Sequence, residues 1–253
     1  DWLGEGLARV VDWQDIAYGE EYLDRVERFA RQDSPVHAYA LTIEAARWIA
    51  VAMSYDDIIR VADLKTRPER SQRIRGEVAA TDDDIVGTEE YFHPRIDEVQ
   101  GLLPIRWADR LDTWPALKLR LARHLDHGRR LHTHTVRGYL QLRLAAGLRR
   151  WRRGNRRHAQ ESANLTAWLT AVQTALEVDY QVAVELLRSR RLVKGYSDTH
   201  VRGSGRFGAV LDAARRLTGR PDAAATVAGL RAAALRDAEG VALKAALIQA
   251  GLA

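Results

Sequence analysis

The sequence predicts an all-α protein, an irregular multi-helix bundle with little or no sheet. Apolar residues recur at spacings of three and four along most of the chain, the period of an amphipathic helix. No run of alternating Val, Ile and aromatic residues is long enough to build a sheet. Composition agrees, since 253 residues with 46% hydrophobic and 29% charged side chains describe an ordinary soluble globular protein with a substantial core. Nothing reaches the roughly eighteen consecutive apolar residues of a membrane span, and a cytoplasmic location is expected.

Taken in order, Ser34-Pro35 reads as an N-cap followed by proline at the first helical position. Leu41, Ala45, Trp48 and Ala52 then supply a helical apolar face. Ser54-Tyr55-Asp56-Asp57 has capping-box spacing, with Asp in place of Glu, and opens a helix through Lys65. Pro68, Pro94, Pro104, Pro115 and Pro221 mark helix starts or breaks. Asp84 to Phe92 holds a short extended stretch at most. Leu165, Trp168, Leu169, Val172 and Leu176 form another helical face, and Phe207, Val210, Leu211, Ala214 and Leu217 a third. A boundary is expected near Thr218-Gly219-Arg220-Pro221, giving a helical domain over 1–218 and an alanine-rich tail over 219–253. The tail reads as two helices, Asp222 to Arg236 and Glu239 to Ala250, able to pack on the same core. Asp1 is followed by no charged-then-apolar leader, and the missing methionine suggests a fragment or a processed chain.

The formal charge of +5 conceals an asymmetry. Between Arg123 and Arg157 stand eleven arginines and one acid, Asp126; that window carries +10, so the remainder sums to −5. An anionic partner is therefore expected to meet the chain there. Within the window, Tyr139 to Arg157 reads as an amphipathic helix followed by a basic turn. Leu140, Leu144, Leu148 and Trp151 supply its buried stripe, and Arg143, Arg149, Arg150, Arg152 and Arg153 the charged remainder. The favoured partners are acidic groups, either Asp82-Asp83-Asp84 and Glu89-Glu90 of the same chain or another subunit. Nucleic acid is the weaker reading, because no RNA-module signature or zinc finger accompanies the arginines.

Two polar strings could carry a ligand. The stretch from Arg191 to Gly205 lies between two helical patterns and includes Lys194, Gly195, Tyr196, Asp198, His200 and Arg202. It reads as a loop, with a helix starting near Arg206 whose N-terminus can face an anion. Its spacing matches neither a dinucleotide fingerprint nor a P-loop, and a buried polar turn is the simpler account. In the second string, Arg60, Asp63, Lys65 and Arg67 stand at helical spacing. Ion pairs from Asp63 to Arg60 and Arg67 along one face are expected.

Other chemistries find little support. Zero cysteines exclude disulfides, thiol nucleophiles and iron–sulfur ligation within the segment. His124, His127, His132 and His134 lack metal-ligand spacing and sit among Lys118, Arg120, Arg123, Arg129, Arg130 and Arg137, which repel a cation. No GxSxG elbow exists, and Asp56, Asp57 and Asp63 on one helix do not make a carboxylate pair across a cleft. No catalytic residue and no metal site is assigned.

Three segments taken together resemble the C-terminal helical region of the indolepyruvate oxidoreductase beta-subunit family. They are Gly6 to Asp15, Met53 to Arg67, and Arg191 to Gly203; Leu148-Arg149-Arg150-Trp151-Arg152-Arg153 has a similar counterpart. The resemblance runs to about Ala214, and the tail from Pro221 lies outside it. Ser197 stands where the family has glycine in the Lys-Gly-Tyr-x-Asp string. The resemblance implies a subunit of a 2-oxoacid:ferredoxin oxidoreductase, which decarboxylates aryl 2-oxoacids on thiamine diphosphate, passes electrons through iron–sulfur clusters to ferredoxin and captures the acyl group on coenzyme A. It places the thiamine diphosphate and the clusters in a larger partner subunit, and an α/β domain of its own before Asp1. On that reading the chain is a helical accessory or assembly region, not catalytic alone. The alternatives are an anion- or nucleic-acid-binding module on the arginine helix, and a ligand-binding domain using Lys194, Asp198 and His200.

Overall fold

The computed structural model describes every residue except Asp82, His93, Pro94, Asp126, Tyr196, Ala238 and Ala253, and all side chains but those of Phe92, Arg129, Ser197 and Asp198. Fourteen α-helices and a two-stranded sheet make up the described residues, so the fold is all-α. None of these helices is long and apolar enough to cross a membrane. The chain divides into unit 1, residues 1–55 and 161–253, and unit 2, residues 56–160.

Unit 1 begins with α1 (Trp2–Trp13), α2 (Ile16–Ala30) and α3 (Ala40–Met53). Unit 2 follows with α4 (Ile58–Lys65), α5 (Pro68–Glu77), β1 (Glu89–Phe92), α6 (Ile96–Gly101), α7 (Ile105–Asp112), α8 (Pro115–Leu125), β2 (Arg129–His132) and α9 (Val136–Gly147). A 3-10 segment, Leu148–Gly154, continues α9. The remaining helices are α10 (Arg156–Leu176), α11 (Tyr180–Ser189), α12 (Ser197–Leu217), α13 (Ala223–Arg236) and α14 (Val241–Gln249).

Unit 1 has one continuous apolar core drawn from all of its helices. The expected faces hold: Leu41, Ala45 and Ala52 on α3, Leu165, Trp168 and Val172 on α10, and Phe207, Val210, Ala214 and Leu217 on α12 are buried. Its large aromatic residues bury their polar tips on carbonyls. Trp13 Nε1 donates to Tyr55 O at 2.9 Å, Tyr22 Oη to Ala46 O at 2.9 Å, and Trp168 Nε1 to Leu186 O at 3.1 Å. Burial pushes the Tyr22 hydroxyl up to about 12. Gly6 is required where α1 meets α2, because a Cβ there would run into the Tyr22 hydroxyl. The tail helices α13 and α14 contribute Ala223, Val227, Leu230, Ala234 and Leu243 to this same core, so the expected boundary near 218 falls inside unit 1.

Two expected caps are corrected. Ser34 makes no side-chain cap; Pro35–His37 is a single 3-10 turn, and α3 starts only at Ala40 after left-handed Ala38 and Tyr39. Asp33 takes the role instead, accepting from Thr42 N at 2.8 Å, Thr42 Oγ1 at 2.7 Å and Tyr180 Oη at 2.8 Å. The cap of α4 is Asp57, which accepts from Arg60 N at 2.6 Å. Ser54 turns back and donates to Ala50 O at 2.6 Å.

Unit 2 rests on less apolar material. Ala62 of α4 packs with Leu142 and Ala146 of α9, with Leu131 and Ala145 partly buried beside them. Antiparallel β1 and β2 pair Glu89 with His132 and Tyr91 with Arg130. The extended stretch expected up to Phe92 thus finds a partner strand that periodicity does not reveal.

Candidate functional site

The helix over Tyr139–Arg157 is shorter and turned over relative to expectation. It is α9 plus the 3-10 segment, and the buried residues of α9 are Gly138, Leu142 and Ala146. At 3.6 residues per turn these lie opposite the stripe of Leu140, Leu144, Leu148 and Trp151. That stripe faces outward, with exposures of 51%, 74%, 38% and 62%. The opposite face takes the interior, where Leu142 and Ala146 pack with Ala62 of α4. Arg143, Arg150 and Arg153 are exposed beside the stripe and Arg149 is half-buried; the Arg150 guanidinium lies 5.1 Å from the Trp151 ring.

Arg152 departs from its expected place on the charged face. Its side chain is 1% exposed and clamps the Asp57 carboxylate, Nε to Oδ2 at 2.9 Å and Nη2 to Oδ1 at 3.1 Å. One carboxylate therefore caps α4 and neutralises a buried guanidinium, joining the start of α4 to the 3-10 segment. The acidic clusters expected to face the arginine window engage other groups. Glu90 binds Lys65 and Arg70, Glu89 lies 3.2 Å from His132, and the Asp84 carboxylate accepts from Thr81; Asp82 is outside the described residues. Hydrogen bonds from the Thr81 amide and hydroxyl, with Arg75 nearby, hold Asp84 below its ordinary value. Arg156 pairs with Asp112 instead, an acid held well below the usual range by bonding to Gln100, Arg156 and Lys118.

Arg60, Asp63, Lys65 and Arg67 do come together. Asp63 pairs with Arg60 at 3.4 Å and with Arg67 at 2.5 Å, as the spacing predicts. Lys65 and Arg67 also line a cleft of about 220 Å³ in unit 2, with Arg70, Ser71, Arg75, Thr88, Thr133, His134 and Tyr139 among its other walls. Two of those walls are tied to each other, Thr88 Oγ1 to Thr133 Oγ1 at 2.7 Å, and His134 Nδ1 lies 3.0 Å from the Thr88 amide nitrogen. Sequence reasoning missed Arg70, Arg75 and the hydroxyl groups, which reach the cleft from separate segments.

The string from Arg191 to Gly205 is mostly helix. α12 starts at Ser197, not near Arg206, so Gly203 and Gly205 are helical. Gly203 lets α12 lie against the backbone of Leu192; a Cβ would stand 2.5 Å from that carbonyl oxygen. Lys194 is exposed, Gly195 is left-handed at φ +69°, and Arg202 reaches Glu239 at 3.7 Å. Tyr196 and the Asp198 side chain lie outside the described residues. His200 turns inward, with Nε2 3.3 Å from Glu161 Oε1; Arg190 Nη2 lies 3.9 Å from the other oxygen of the same carboxylate. The Arg190 guanidinium sits 5.7 Å from both the Trp168 and Phe207 rings. Glu161, nearly forty residues from His200, was invisible to the sequence reading. This buried cluster ties α10, the turn after α11 and α12 together and makes a structural clamp.

Among the described residues no group of three or more His, Asp or Glu side chains converges as a metal site. Residues 1–213 match a family of unknown function (DUF6537), and the chain belongs to that family. Comparison with curated proteins and with solved structures gave no match.

Proposed function

We propose that this chain is a protein-docking region, the helical accessory or assembly part of a subunit of an indolepyruvate-type 2-oxoacid:ferredoxin oxidoreductase. One observation supports it above the others: Leu140, Leu144, Leu148 and Trp151 form an apolar stripe at helical spacing that the chain leaves uncovered. Contiguous exposed apolar surface rimmed by polar groups marks interaction sites. Covering a leucine or tryptophan side chain is worth about 1.5–3 kcal/mol each. The rim is made of arginines, and tryptophan with arginine is the composition of interface hot spots. Unit 2 also exposes Trp107, Trp114 and Leu119, with Arg110 5.2 Å from the Trp114 ring.

The partner that suits this surface has an apolar groove with an acidic rim, and the sequence resemblance names the larger, thiamine-diphosphate-bearing subunit as that partner. Iron–sulfur clusters need thiolate ligands and this chain has no cysteine, so cluster ligation belongs to the partner on this reading. Ferredoxin is then a partner of the whole complex. Co-expression with a cysteine-rich thiamine-dependent subunit tests the reading. A stable complex that Leu144→Glu and Trp151→Glu abolish supports it. Absence of a complex, or a complex indifferent to both variants, overturns it.

A further inference from the structure

The cleft in unit 2 has a chemistry of its own. Lys65, Arg67, Arg70 and Arg75 line it, and no carboxylate does among the described residues. The carboxylates that hold these cations lie outside the lining: Glu90 for Lys65 and Arg70, Asp63 for Arg67. Arg75 is anchored to carbonyl oxygens, those of Asp84 at 3.1 Å and of Thr81. These pairings hold the guanidinium and ammonium groups without adding a carboxylate to the lining. Thr66, Ser71, Thr88, Thr133 and Tyr139 add hydroxyls to the walls, and His134 adds an imidazole. The first turn of α5, through Pro68, Arg70 and Ser71, forms one side and contributes the partial positive charge of a helix N-terminus.

We propose that this cleft binds a phosphate-bearing small molecule. A monocarboxylate would engage one guanidinium fork; four cations and five hydroxyls around about 220 Å³ suit a group with three oxygens and more than one charge. The volume accommodates a phosphate or pyrophosphate group, with any remaining part of the ligand outside. Free phosphate and a phosphorylated metabolite present the same oxygens to these groups. The site is separate from the docking stripe on α9, so each stands or falls alone.

Calorimetry and thermal unfolding with inorganic phosphate and pyrophosphate test it, against chloride and acetate at matched ionic strength. The expected result is saturable binding of the two phosphates and no saturable response to the controls. Arg70→Gln removes a charge-assisted donor and weakens pyrophosphate at least about tenfold. Because that variant also releases Glu90, Ser71→Glu serves as the second. Ser71 is exposed, so a carboxylate there is tolerated by the fold yet repels the ligand; binding is lost with the ligand-free unfolding midpoint unchanged. Leu144→Glu leaves phosphate binding intact. No phosphate response, an equal response to acetate or chloride, unaltered binding by Ser71→Glu, or saturable binding of an RNA oligonucleotide without any phosphate response would each overturn the proposal.

Discussion

Trp13 and Trp168 of unit 1 are fully buried with their indole N–H groups on carbonyls, whereas Trp107, Trp114 and Trp151 of unit 2 stand at the surface, the last two beside arginines. The same contrast runs through the charged groups. In unit 1, Glu185 pairs with Arg188 at 2.7 Å and with Arg231, and Arg188 also reaches Glu44 at 2.9 Å, a network laid along a large apolar core. In unit 2, the most buried pair, Arg152 with Asp57, stands where the apolar cluster is small. Unit 1 is held by burial of apolar area; unit 2 spends much of its apolar surface outward and relies on ion pairs for its internal joins. A region built that way is suited to recognition, and both proposals concern it.

The sharpest test of the comparison is Asp57→Ala. It removes the α4 cap and the carboxylate that the buried Arg152 guanidinium clamps, and breaking such a pair costs about 3–5 kcal/mol. Chemical denaturation should show that loss, and hydrogen exchange should place it in residues 56–160. Adding Arg152→Met to Asp57→Ala should recover more than half of it, because the uncompensated charge is then gone. A loss below about 1 kcal/mol would show that the pair does not hold unit 2. For unit 1 the counterpart is Leu187→Ala, a cavity in the continuous core worth about 3 kcal/mol, with faster exchange in α3 and α11.

Legibility in the sequence follows the same division. Helical faces of unit 1 were legible at Leu41, Trp168 and Val210 because each repeats at helical spacing and the large core buries what is apolar. The outward stripe of α9 was legible as a face and misread as an interior. Periodicity says that a face is apolar; it does not say what covers it, and here Leu142 and Ala146 on the opposite face made the contact with Ala62 of α4. The joins that matter most are long-range: Asp57 with Arg152, and Glu161 with His200. No local pattern encodes them. The stretch from Arg191 to Gly205 reads as a loop because it lies between two helical patterns, yet Gly203 is there for close approach of α12 to Leu192, a reason for glycine that helix propensity cannot reveal. In the cleft, Lys65 and Arg67 were singled out because they belong to one charged string at helical spacing; Lys65 ends α4 and Arg67 precedes α5. Thr88, Thr133 and Tyr139 come from three other segments and carried no signal.

A smaller effect probes a polar join of unit 1. Burial alone would raise the Asp33 carboxyl, but hydrogen bonds from Thr42, Tyr180 and Ser34 outweigh it and hold the group below its ordinary value. A carboxyl lowered in the folded state stabilises above its unfolded pKa, and that stabilisation disappears as pH falls through the folded value. Asp33→Asn should therefore cost about 1 kcal/mol at neutral pH. The gap to the unaltered protein should close as pH falls below about 4. A gap that stayed constant down to pH 2 would show that the charge of Asp33 is not what holds the turn before α3.

The smallest expected effect on stability carries the largest consequence for function. Leu144 is the most exposed member of the α9 stripe, and a surface substitution that touches no cap, cavity or buried pair usually moves stability by less than about 0.5 kcal/mol. Leu144→Glu should thus unfold at the same denaturant midpoint as the unaltered chain, or slightly later if relief of exposed apolar surface reduces self-association. A charge at the centre of an apolar interface is another matter: its desolvation is uncompensated, and beside an acidic partner rim the glutamate also repels. Affinity for the proposed partner subunit should fall by at least about a hundredfold, close to 2.7 kcal/mol, with most of the change in dissociation rate. Leu187→Ala should behave in the opposite sense, lowering the unfolding midpoint while leaving affinity unchanged wherever the chain remains folded. If Leu144→Glu instead destabilises the isolated chain by more than about 2 kcal/mol, the stripe belongs to the interior after all, and the division between a unit 1 built on a large apolar core and an outward-facing unit 2 fails with it.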